Sequence, residues 1–373
     1  MITGPRFCDL LTDTGVRRLA GVPCGSLAGA WAEFDRRRML IPAADEGAAL
    51  AIAVGSELAG VPSAVLCQNS GLGNLLNPLT SLVLPYRVPV LVVMSLRGWP
   101  DPALDEPQHA VMGPATTRLL DALDVEYTVL APTEASAGAA LTAAAECRRA
   151  GSPFFVLVPP ATIEPPPAAA AEAGPAPEPA DPRPSRSEVV AALLAVLAGQ
   201  ARDTLVVATT GYLSRELHAQ RDRPGTFYMQ GSMGHAAAIT LGLALGRPDR
   251  RVLALDGDGA LLMHLGTGST IGSAAPPNLT HLVVDNGCYE STGGQPSTSA
   301  VVDWPALGQG LGYRTVLGCP ADGPLAAVLS GALTGAGPVL CVVSTRPVTA
   351  GAPPRASATL TLPDIAARLR TAG

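Results

Sequence analysis

The sequence contains no lysine, so all 25 residues of the Lys and Arg class are arginines. A lysine is needed for Schiff-base chemistry, for attachment of pyridoxal phosphate and for the phosphate-binding loop that ends in GK[ST]. The absence of lysine therefore excludes these kinds of active site. The longest basic run is Arg36, Arg37 and Arg38, and the net charge is −6. We therefore expect a small molecule as partner, and neither nucleic acid nor an anionic membrane.

Paired cysteines and long apolar runs are also missing. The 7 cysteines are scattered and include no C-x-x-C pair, so they indicate neither a disulfide framework nor a zinc site. No run approaches the roughly 18 apolar residues of a membrane helix, and the N-terminal "MITGPRFCDLLTDTG" has no basic segment followed by an apolar core. We expect a soluble, cytoplasmic protein.

What is present is a chain of 373 residues, of which 47 % are hydrophobic, enough for about two domains. A Pro/Ala-rich linker at residues 164–184 separates residues 1–163 from residues 185–373. On both sides of it, short β-branched runs alternate with longer Ala/Leu-rich stretches, which predicts an α/β fold with two parallel sheets flanked by helices. The predicted strands are residues 63–68, 88–95, 153–159, 204–209, 251–256, 280–285 and 338–344, and the predicted helices are 47–59, 134–149, 187–199 and 235–246.

The segment "VLALDGDGALLMHLG" (residues 252–266) leads from a predicted strand through two aspartates spaced by glycines into a predicted helix. The next strand ends in "DNG", so Asn286 should lie beside Asp258 at the edge of the sheet where ligands bind. A carboxylate and an amide oxygen suit Mg²⁺, which takes further oxygens from a phosphate. The pattern predicts a cation that holds a phosphate. A solvated glycine turn is the alternative for a GDG motif alone.

GDG followed by an Asn-containing turn at the end of the next strand resembles the thiamine diphosphate motif of decarboxylases and carboligases. Further segments, in order across nearly the whole chain, resemble the phosphonopyruvate decarboxylase family. They are "GVP" (21–23), "AADEGAALAIAVG" (43–55), "QNSGLGNLLNPLTSL" (68–82), "DEPQHAVMG" (105–113), "TTGYLSREL" (209–217), "QGSMGHAAAITLGLALGRPDRRVLALDGDGALLMHLG" (230–266) and "VVDNGCYESTGGQPS" (283–297).

This resemblance implies two thiamine-diphosphate-binding folds, with a pyrimidine-binding domain at residues 1–163 and a diphosphate-binding domain at 185–373. It also implies a homo-oligomer, at least a dimer, with active sites at the subunit interface. Glu46 matches the glutamate that activates the cofactor, and Met233 matches the apolar residue that bends it. The other cofactor-binding residues implied are Thr210, Gly211, Gly231, Ser232, Gly257, Asp258, Gly259, Ala260 and Asn286. Mg²⁺ would be held by Asp258, Asn286 and the backbone carbonyl of Cys288.

The implied reaction is decarboxylation of 3-phosphonopyruvate to phosphonoacetaldehyde and CO₂. Three alternatives are a sulfopyruvate decarboxylase, a carboligase, and a cofactor-binding relic without activity. His109 in "DEPQH" is the strongest candidate for proton transfer or phosphonate binding. The weaker substrate candidates are Ser26, Asn69, Ser70, Arg97, Gln108, Ser291 and Gln295, the last two in a Gly-rich loop. Three positions depart from the family pattern, namely Asp285, Asp45 and the segment "GVPCGSL". The last borders the expected substrate pocket, so it bears on substrate identity.

Overall fold

The computed structural model describes residues 1–166, 181–199, 201–348 and 351–372. The chain divides into two compact units, residues 1–173 and 174–373, so the boundary falls inside the predicted linker at 164–184. Residues 167–180 of that linker lie outside the described residues. The assignment of the two units to pyrimidine and diphosphate binding stays a prediction.

Unit 1 is built on a six-stranded sheet in the order β2-β1-β3-β4-β6-β5, with all neighbours parallel. Its strands are β1 (Arg18–Gly21), β2 (Leu40–Pro42), β3 (Ser63–Gln68), β4 (Leu91–Ser95), β5 (Tyr127–Val129) and β6 (Phe154–Val158). Its helices are α1 (Gly4–Asp13), α2 (Ala28–Arg36), α3 (Glu46–Leu58), α4 (Leu72–Pro78), α5 (Met112–Ala122) and α6 (Glu134–Ala150).

Helices cover both faces of this sheet, which is why its central strands are apolar throughout. Along β3, Ala64 and Leu66 belong to one core cluster, together with side chains of α1, α2 and α6. Val65 and Cys67 belong to the other, together with side chains of α3, α4 and α5. The period of two that directs successive side chains to opposite faces therefore creates two cores.

Unit 2 repeats this plan, with a parallel sheet in the order β13-β14-β10-β9-β7-β8. Its strands are β7 (Leu205–Ala208), β8 (Thr226–Tyr228), β9 (Val252–Gly257), β10 (Leu279–Asp285), β13 (Thr315–Cys319) and β14 (Val339–Ser344). A small antiparallel pair, β11 (Cys288–Tyr289) and β12 (Gln295–Pro296), lies beyond the end of β10. Its helices are α7 (Arg186–Ala198), α8 (Tyr212–Gln220), α9 (Ala236–Gly246), α10 (Asp258–Met263), α11 (Gly266–Ala274), α12 (Trp304–Gly310), α13 (Leu325–Thr334) and α14 (Leu362–Thr371).

The structure confirms the predicted α/β class, and a strand or helix lies at each predicted position. Within the described ranges, none of the helices combines the length and the apolar character needed to cross a bilayer. In each unit, the carboxyl ends of the parallel strands form the edge at which ligands are expected.

Candidate active site

The carboxyl edge of the first sheet collects the predicted site residues of unit 1. Strands β2, β1, β3 and β4 are consecutive neighbours, and the residues lie in the segments that follow them. They are Glu46 after β2, Ser26 after β1, Asn69 and Ser70 after β3, and Arg97, Gln108 and His109 after β4. The structure therefore brings residues that are scattered in the sequence to one edge.

Glu46 is a buried acid at the first position of α3. The preceding Asp45 caps the helix by accepting a hydrogen bond from Ala48 N at 2.9 Å. Asn74 Nδ2 donates to Glu46 Oε2 at 2.7 Å, and a Cβ at Gly71 would collide with the Glu46 carboxyl group. Burial raises the pKa of Glu46, and the Asn74 hydrogen bond opposes this only in part. Glu46 therefore keeps its proton to higher pH than an exposed glutamate does.

Arg97 fastens the loop that carries Gln108 and His109. Its guanidinium group makes two hydrogen bonds to Asp105, one of them from Nε to Oδ2 at 2.8 Å, and Gly98 N donates to the same carboxylate at 2.7 Å. Burial favours the neutral acid, but these hydrogen bonds outweigh it and lower the pKa of Asp105. The charge of Arg97 is thus already balanced, which favours an anchoring role at this edge.

Asn69 joins the ends of β3 and β4. Its Nδ2 donates to Arg97 O at 2.9 Å and to Thr116 Oγ1 at 3.1 Å, while its Oδ1 accepts from Arg97 N at 3.0 Å. Because protein groups engage both ends of the amide, Asn69 is better suited to ordering the edge than to contacting a substrate. Ser70 is exposed, and its Oγ accepts a hydrogen bond from Gln68 Nε2 at 2.7 Å.

The remaining candidates of unit 1 differ in their exposure. Ser26 is half-buried in the short 3₁₀ helix Gly25–Leu27, and His109 is buried at the end of another, Pro107–His109. Gln108 Nε2 donates to Glu106 Oε2 at 2.5 Å. Its Oε1 is buried and has no hydrogen-bond partner among the described residues. A buried acceptor of this kind can receive a hydrogen bond from a ligand.

In unit 2, Asp258 and Asn286 leave neighbouring strands at the same edge. Strands β9 and β10 are parallel, and Val284 pairs with Gly257. Asp258 directly follows β9, and Asn286 directly follows β10. This confirms the predicted adjacency of the two strand ends.

Asp258 is 3 % exposed, and Ser297 ties it to the turn after β10. Ser297 Oγ donates to Asp258 Oδ2, and Ser297 N donates to Gly287 O at 2.9 Å. Burial raises the pKa of Asp258 to about 6 against the Ser297 hydrogen bond, and the negative charge of Asp285 adds to the rise. A cation at this carboxylate would offset both effects, so the site fits a divalent metal.

The other predicted metal ligands are oxygens of an amide and of the backbone. Asn286 Oδ1 accepts a hydrogen bond from Cys288 N at 3.0 Å, which leaves it a second lone pair. Burial raises the pKa of the Cys288 thiol. Where the structure is described, no group of three or more His, Cys, Asp or Glu side chains is arranged to hold a metal. A metal here would thus depend on these oxygens together with Asp258.

Asp285, which departs from the family pattern, is occupied by neutral donors. Ser299 Oγ donates to its Oδ1 at 2.8 Å, Trp304 Nε1 to its Oδ2 at 2.9 Å, and Gly287 N to its Oδ1 at 3.1 Å. The carboxylate therefore supports the turn that presents Asn286. Three polar side chains around the two aspartates were not among the predicted site residues, namely Ser297, Ser299 and Trp304. Ser297 is the last residue of the recognised motif at 283–297, and Ser299 stands two positions beyond it.

Thr210 and Gly211 precede helix α8 after the end of β7. Gly211 has φ +103°, a conformation that favours glycine, and a Cβ there would lie 3.5 Å from Ser291 Oγ. The Gly-rich loop therefore lies against the predicted diphosphate-binding segment. Thr209 Oγ1 is buried without a hydrogen-bond partner among the described residues. With the free N–H groups of the α8 N-terminus, this arrangement suits a phosphate.

The segment Gly231, Ser232 and Met233 forms an irregular turn between β8 and α9. Ser232 has φ +52°, and Met233 is half-buried. A Cβ at Gly234 would lie 3.1 Å from Ala260 O, so this turn lies beside the start of α10. Residues predicted to bind two parts of the cofactor are thus adjacent within unit 2.

The pair β11 and β12 closes over the start of α10. The Tyr289 ring packs against Gly259, where a Cβ would lie 2.5 Å from Tyr289 Cε1. Gly257, two residues earlier, is the last residue of β9. Gln295 Nε2 donates to Thr292 O at 2.9 Å, and its Oε1 accepts from Thr292 Oγ1 at 3.1 Å. Gln295 therefore shapes the Gly-rich loop through its own amide.

A buried polar network that the sequence analysis left without a role lies beneath this edge. Asp256 Oδ1 accepts from Gly257 N at 3.0 Å, and its Oδ2 lies 3.4 Å from His281 Nε2. His281 Nδ1 lies 2.9 Å from Tyr313 OH. Burial raises the pKa of Tyr313, and the phenol and the imidazole share this hydrogen bond. Asp256 thus braces the turn that presents Asp258.

The chain is similar to known enzymes over both units. Residues 209–343 match the family described as thiamine pyrophosphate enzyme, C-terminal TPP binding domain. A phosphonopyruvate decarboxylase of Streptomyces viridochromogenes is 42 % identical over 349 residues, 90 % of this chain and 87 % of that protein. A phosphonopyruvate decarboxylase of Streptomyces hygroscopicus is 41 % identical over 363 residues, which are 93 % of this chain and 88 % of that protein. A sulfopyruvate decarboxylase of Methanosarcina acetivorans is 30 % identical over 305 residues, which are 78 % of this chain and 77 % of that protein.

Proposed function

The chain belongs to the phosphonopyruvate decarboxylase family, and on that premise we propose that it converts 3-phosphonopyruvate to phosphonoacetaldehyde and CO₂ with thiamine diphosphate and Mg²⁺. The observation that carries the proposal is the identity of 42 % and 41 % with two phosphonopyruvate decarboxylases over 90 % and 93 % of the chain. The sulfopyruvate decarboxylase is only 30 % identical over 78 % of the chain, so sulfopyruvate is the less well supported substrate. We place the reaction in phosphonate natural-product biosynthesis, including that of antibiotics.

The residues at the edge of unit 2 suit the cofactor. Thr210, Gly211 and the N-terminus of α8 would hold the diphosphate, with Mg²⁺ bound to Asp258, Asn286 and the Cys288 carbonyl. The turn that contains Gly231, Ser232 and Met233 would hold the pyrimidine side, and Gly257, Gly259 and Ala260 would provide backbone contacts. When bound, thiamine diphosphate supplies the electron sink that lets a 2-keto acid lose CO₂.

The chain's own residues would manage protons and water. Glu46, a buried acid with a raised pKa, would hold the proton that the pyrimidine ring shares. His109, buried in the loop fastened by Arg97 and Asp105, would move a proton or bind the phosphonate. Ser291 and Gln295 belong to a Gly-rich loop that would keep water away from the reacting carbon.

We further propose that the enzyme is a cytoplasmic homo-oligomer, at least a dimer, with its active sites at the subunit interface. The 7 cysteines are free, and all except Cys288 are buried, which supports a reducing compartment.

The test is incubation of the purified protein with 3-phosphonopyruvate or sulfopyruvate, with and without thiamine diphosphate and Mg²⁺. We expect CO₂ and free phosphonoacetaldehyde from the phosphonate in the presence of both cofactors. Turnover of sulfopyruvate alone would contradict the proposed substrate. Formation of an acyloin with an added aldehyde, in place of free aldehyde, would show a carboligase.

A further inference from the structure

Arg186, at the first position of α7, is a cation buried inside unit 2, with 5 % of its surface exposed. Its Nη1 donates to Glu290 Oε2, and its Nη2 lies 3.7 Å from Glu216 Oε2. Its Cζ also lies 5.3 Å from the centre of the Tyr212 ring. A buried charge is costly without partners, so these contacts hold the side chain in one place.

The partners of Arg186 belong to the two segments that would bind the cofactor's diphosphate and its metal. Glu290 comes two residues after Cys288, at the base of the Gly-rich loop, and its Oε1 also accepts from Val348 N at 2.9 Å. Tyr212 begins helix α8, directly after Gly211. One guanidinium group therefore links the metal turn to the diphosphate helix from behind.

We propose that Arg186 is a positioning residue that fixes the metal turn (Asn286 to Glu290) against the N-terminus of α8. This inference depends on the proposed function, because it assumes that the two segments bind thiamine diphosphate and Mg²⁺. Arg186 acts through Glu290, Tyr212 and Glu216. Groups that support the ligands of a metal typically change metal affinity by about 10- to 100-fold when they are removed.

The test is the affinity of the full chain for thiamine diphosphate at saturating Mg²⁺, measured by calorimetry after removal of bound cofactor. Arg186→Met would leave Glu290 as an unpaired buried charge, so the main variant is Arg186→Met combined with Glu290→Gln, which removes both charges. We expect this double variant to fold, as judged by circular dichroism, and to bind the cofactor about 10- to 100-fold more weakly. At saturating cofactor and Mg²⁺ its kcat and its KM for 3-phosphonopyruvate should change by less than about 3-fold.

Arg215→Met is the matched control. Arg215 also lies over the Tyr212 ring, with Cζ at 5.1 Å from its centre, but it is on α8 itself. Among the described residues no hydrogen bond or ion pair joins its side chain to a second segment. The affinity of the Arg215→Met variant for thiamine diphosphate should equal that of the wild type. Arg186→Lys keeps the positive charge but lacks the planar guanidinium group with its several donors. Its affinity for thiamine diphosphate should therefore lie between those of the wild type and the double variant.

Three results would overturn the inference, and they are separable from failure of the proposed function. A folded double variant with wild-type cofactor affinity would show that Arg186 has no positioning role. Equal weakening in Arg215→Met would assign the effect to Tyr212 alone. A loss of kcat at saturating cofactor, without a change in affinity, would place Arg186 in the reaction itself. If the wild-type chain fails to bind thiamine diphosphate, the proposed function fails.

Discussion

Glu46 in unit 1 and Asp258 in unit 2 are acids in corresponding places with different surroundings. Each is buried, each begins a helix after a parallel strand, and burial raises the pKa of both. Glu46 meets one neutral amide, Asn74, as hydrogen-bond donor. Asp258 meets a serine hydroxyl and lies close enough to Asp285 for the second negative charge to raise its pKa further.

The difference shows how similar sheet edges serve different chemistry. A single buried carboxyl beside a neutral amide favours the protonated form and suits proton transfer. A buried carboxylate next to another one accumulates negative charge, which a divalent cation neutralises. Substitutions at the two acids and at their neighbours would test this division between a proton-carrying acid and a metal-binding acid.

Asp258→Ala has the largest expected effect. Without the carboxylate, Mg²⁺ would lose its only charged protein ligand in the proposed set, so Mg²⁺-dependent binding of thiamine diphosphate and all activity should be abolished. Calorimetric titration with the cofactor in the presence of Mg²⁺ measures this. Asp249→Ala, which removes an exposed acid paired with Arg247, is the control and should bind normally. Unchanged cofactor affinity in Asp258→Ala would refute the metal assignment.

Glu46→Gln should abolish proton transfer without affecting the metal site. The amide keeps the size of the side chain but cannot transfer a proton, so we expect kcat to fall by about 10²- to 10⁴-fold. Thiamine diphosphate affinity should stay within about 3-fold of the wild type, because the metal site is intact. Steady-state kinetics together with the same titration distinguish the two variants. If cofactor binding were lost and kcat at saturation retained, Glu46 would be a binding residue only.

Asn74→Leu should shift a pH profile. Asn74 Nδ2 donates to Glu46 Oε2 and so stabilises the carboxylate, which means that its removal raises the pKa of Glu46. The limb of the kcat/KM profile that reports Glu46 should therefore move to higher pH. Asn77→Leu alters an exposed residue of the same helix and should leave the profile unchanged. A shift to lower pH would mean that Asn74 stabilises the neutral acid.

The fold was predictable where strands are buried on both faces. Strands β3, β4 and β6 are apolar along nearly their whole length, and so are β7, β9, β10 and β14, so continuous hydrophobic runs marked them. The strands of the two six-stranded sheets that were not predicted are β1, β2, β5, β8 and β13. Of these, β2 and β5 have three residues each and lie at the two edges of the first sheet. Strands this short and partly exposed lack a distinctive pattern.

The candidate site was predictable where chain geometry alone determines proximity. Asp258 and Asn286 follow adjacent parallel strands, so the spacing of the motifs was sufficient. The contact between Arg186 and Glu290 joins residues 104 positions apart, and it arises from the packing of α7 against the segment after β10. No periodicity records such a pairing. Ser297 and Asn74 were missed for the same reason, since loop and helix conformations decide which nearby polar group reaches an acid.

Tyr313→Phe has the smallest expected effect and tests what braces the metal-binding edge. The change removes the hydroxyl that lies 2.9 Å from His281 Nδ1, so the free energy of unfolding should fall by about 1 kcal/mol. Urea denaturation measures this, and Tyr86→Phe, at a ring that is 72 % exposed, should cost nothing measurable. Because His281 still contacts Asp256, the dependence of cofactor binding on Mg²⁺ should stay unchanged. If Tyr313→Phe weakened the dependence of cofactor binding on Mg²⁺, the whole network of Tyr313, His281 and Asp256 would be shown to support Asp258. Glu46 would then differ from Asp258 in its support as well, because it is held by the single contact with Asn74.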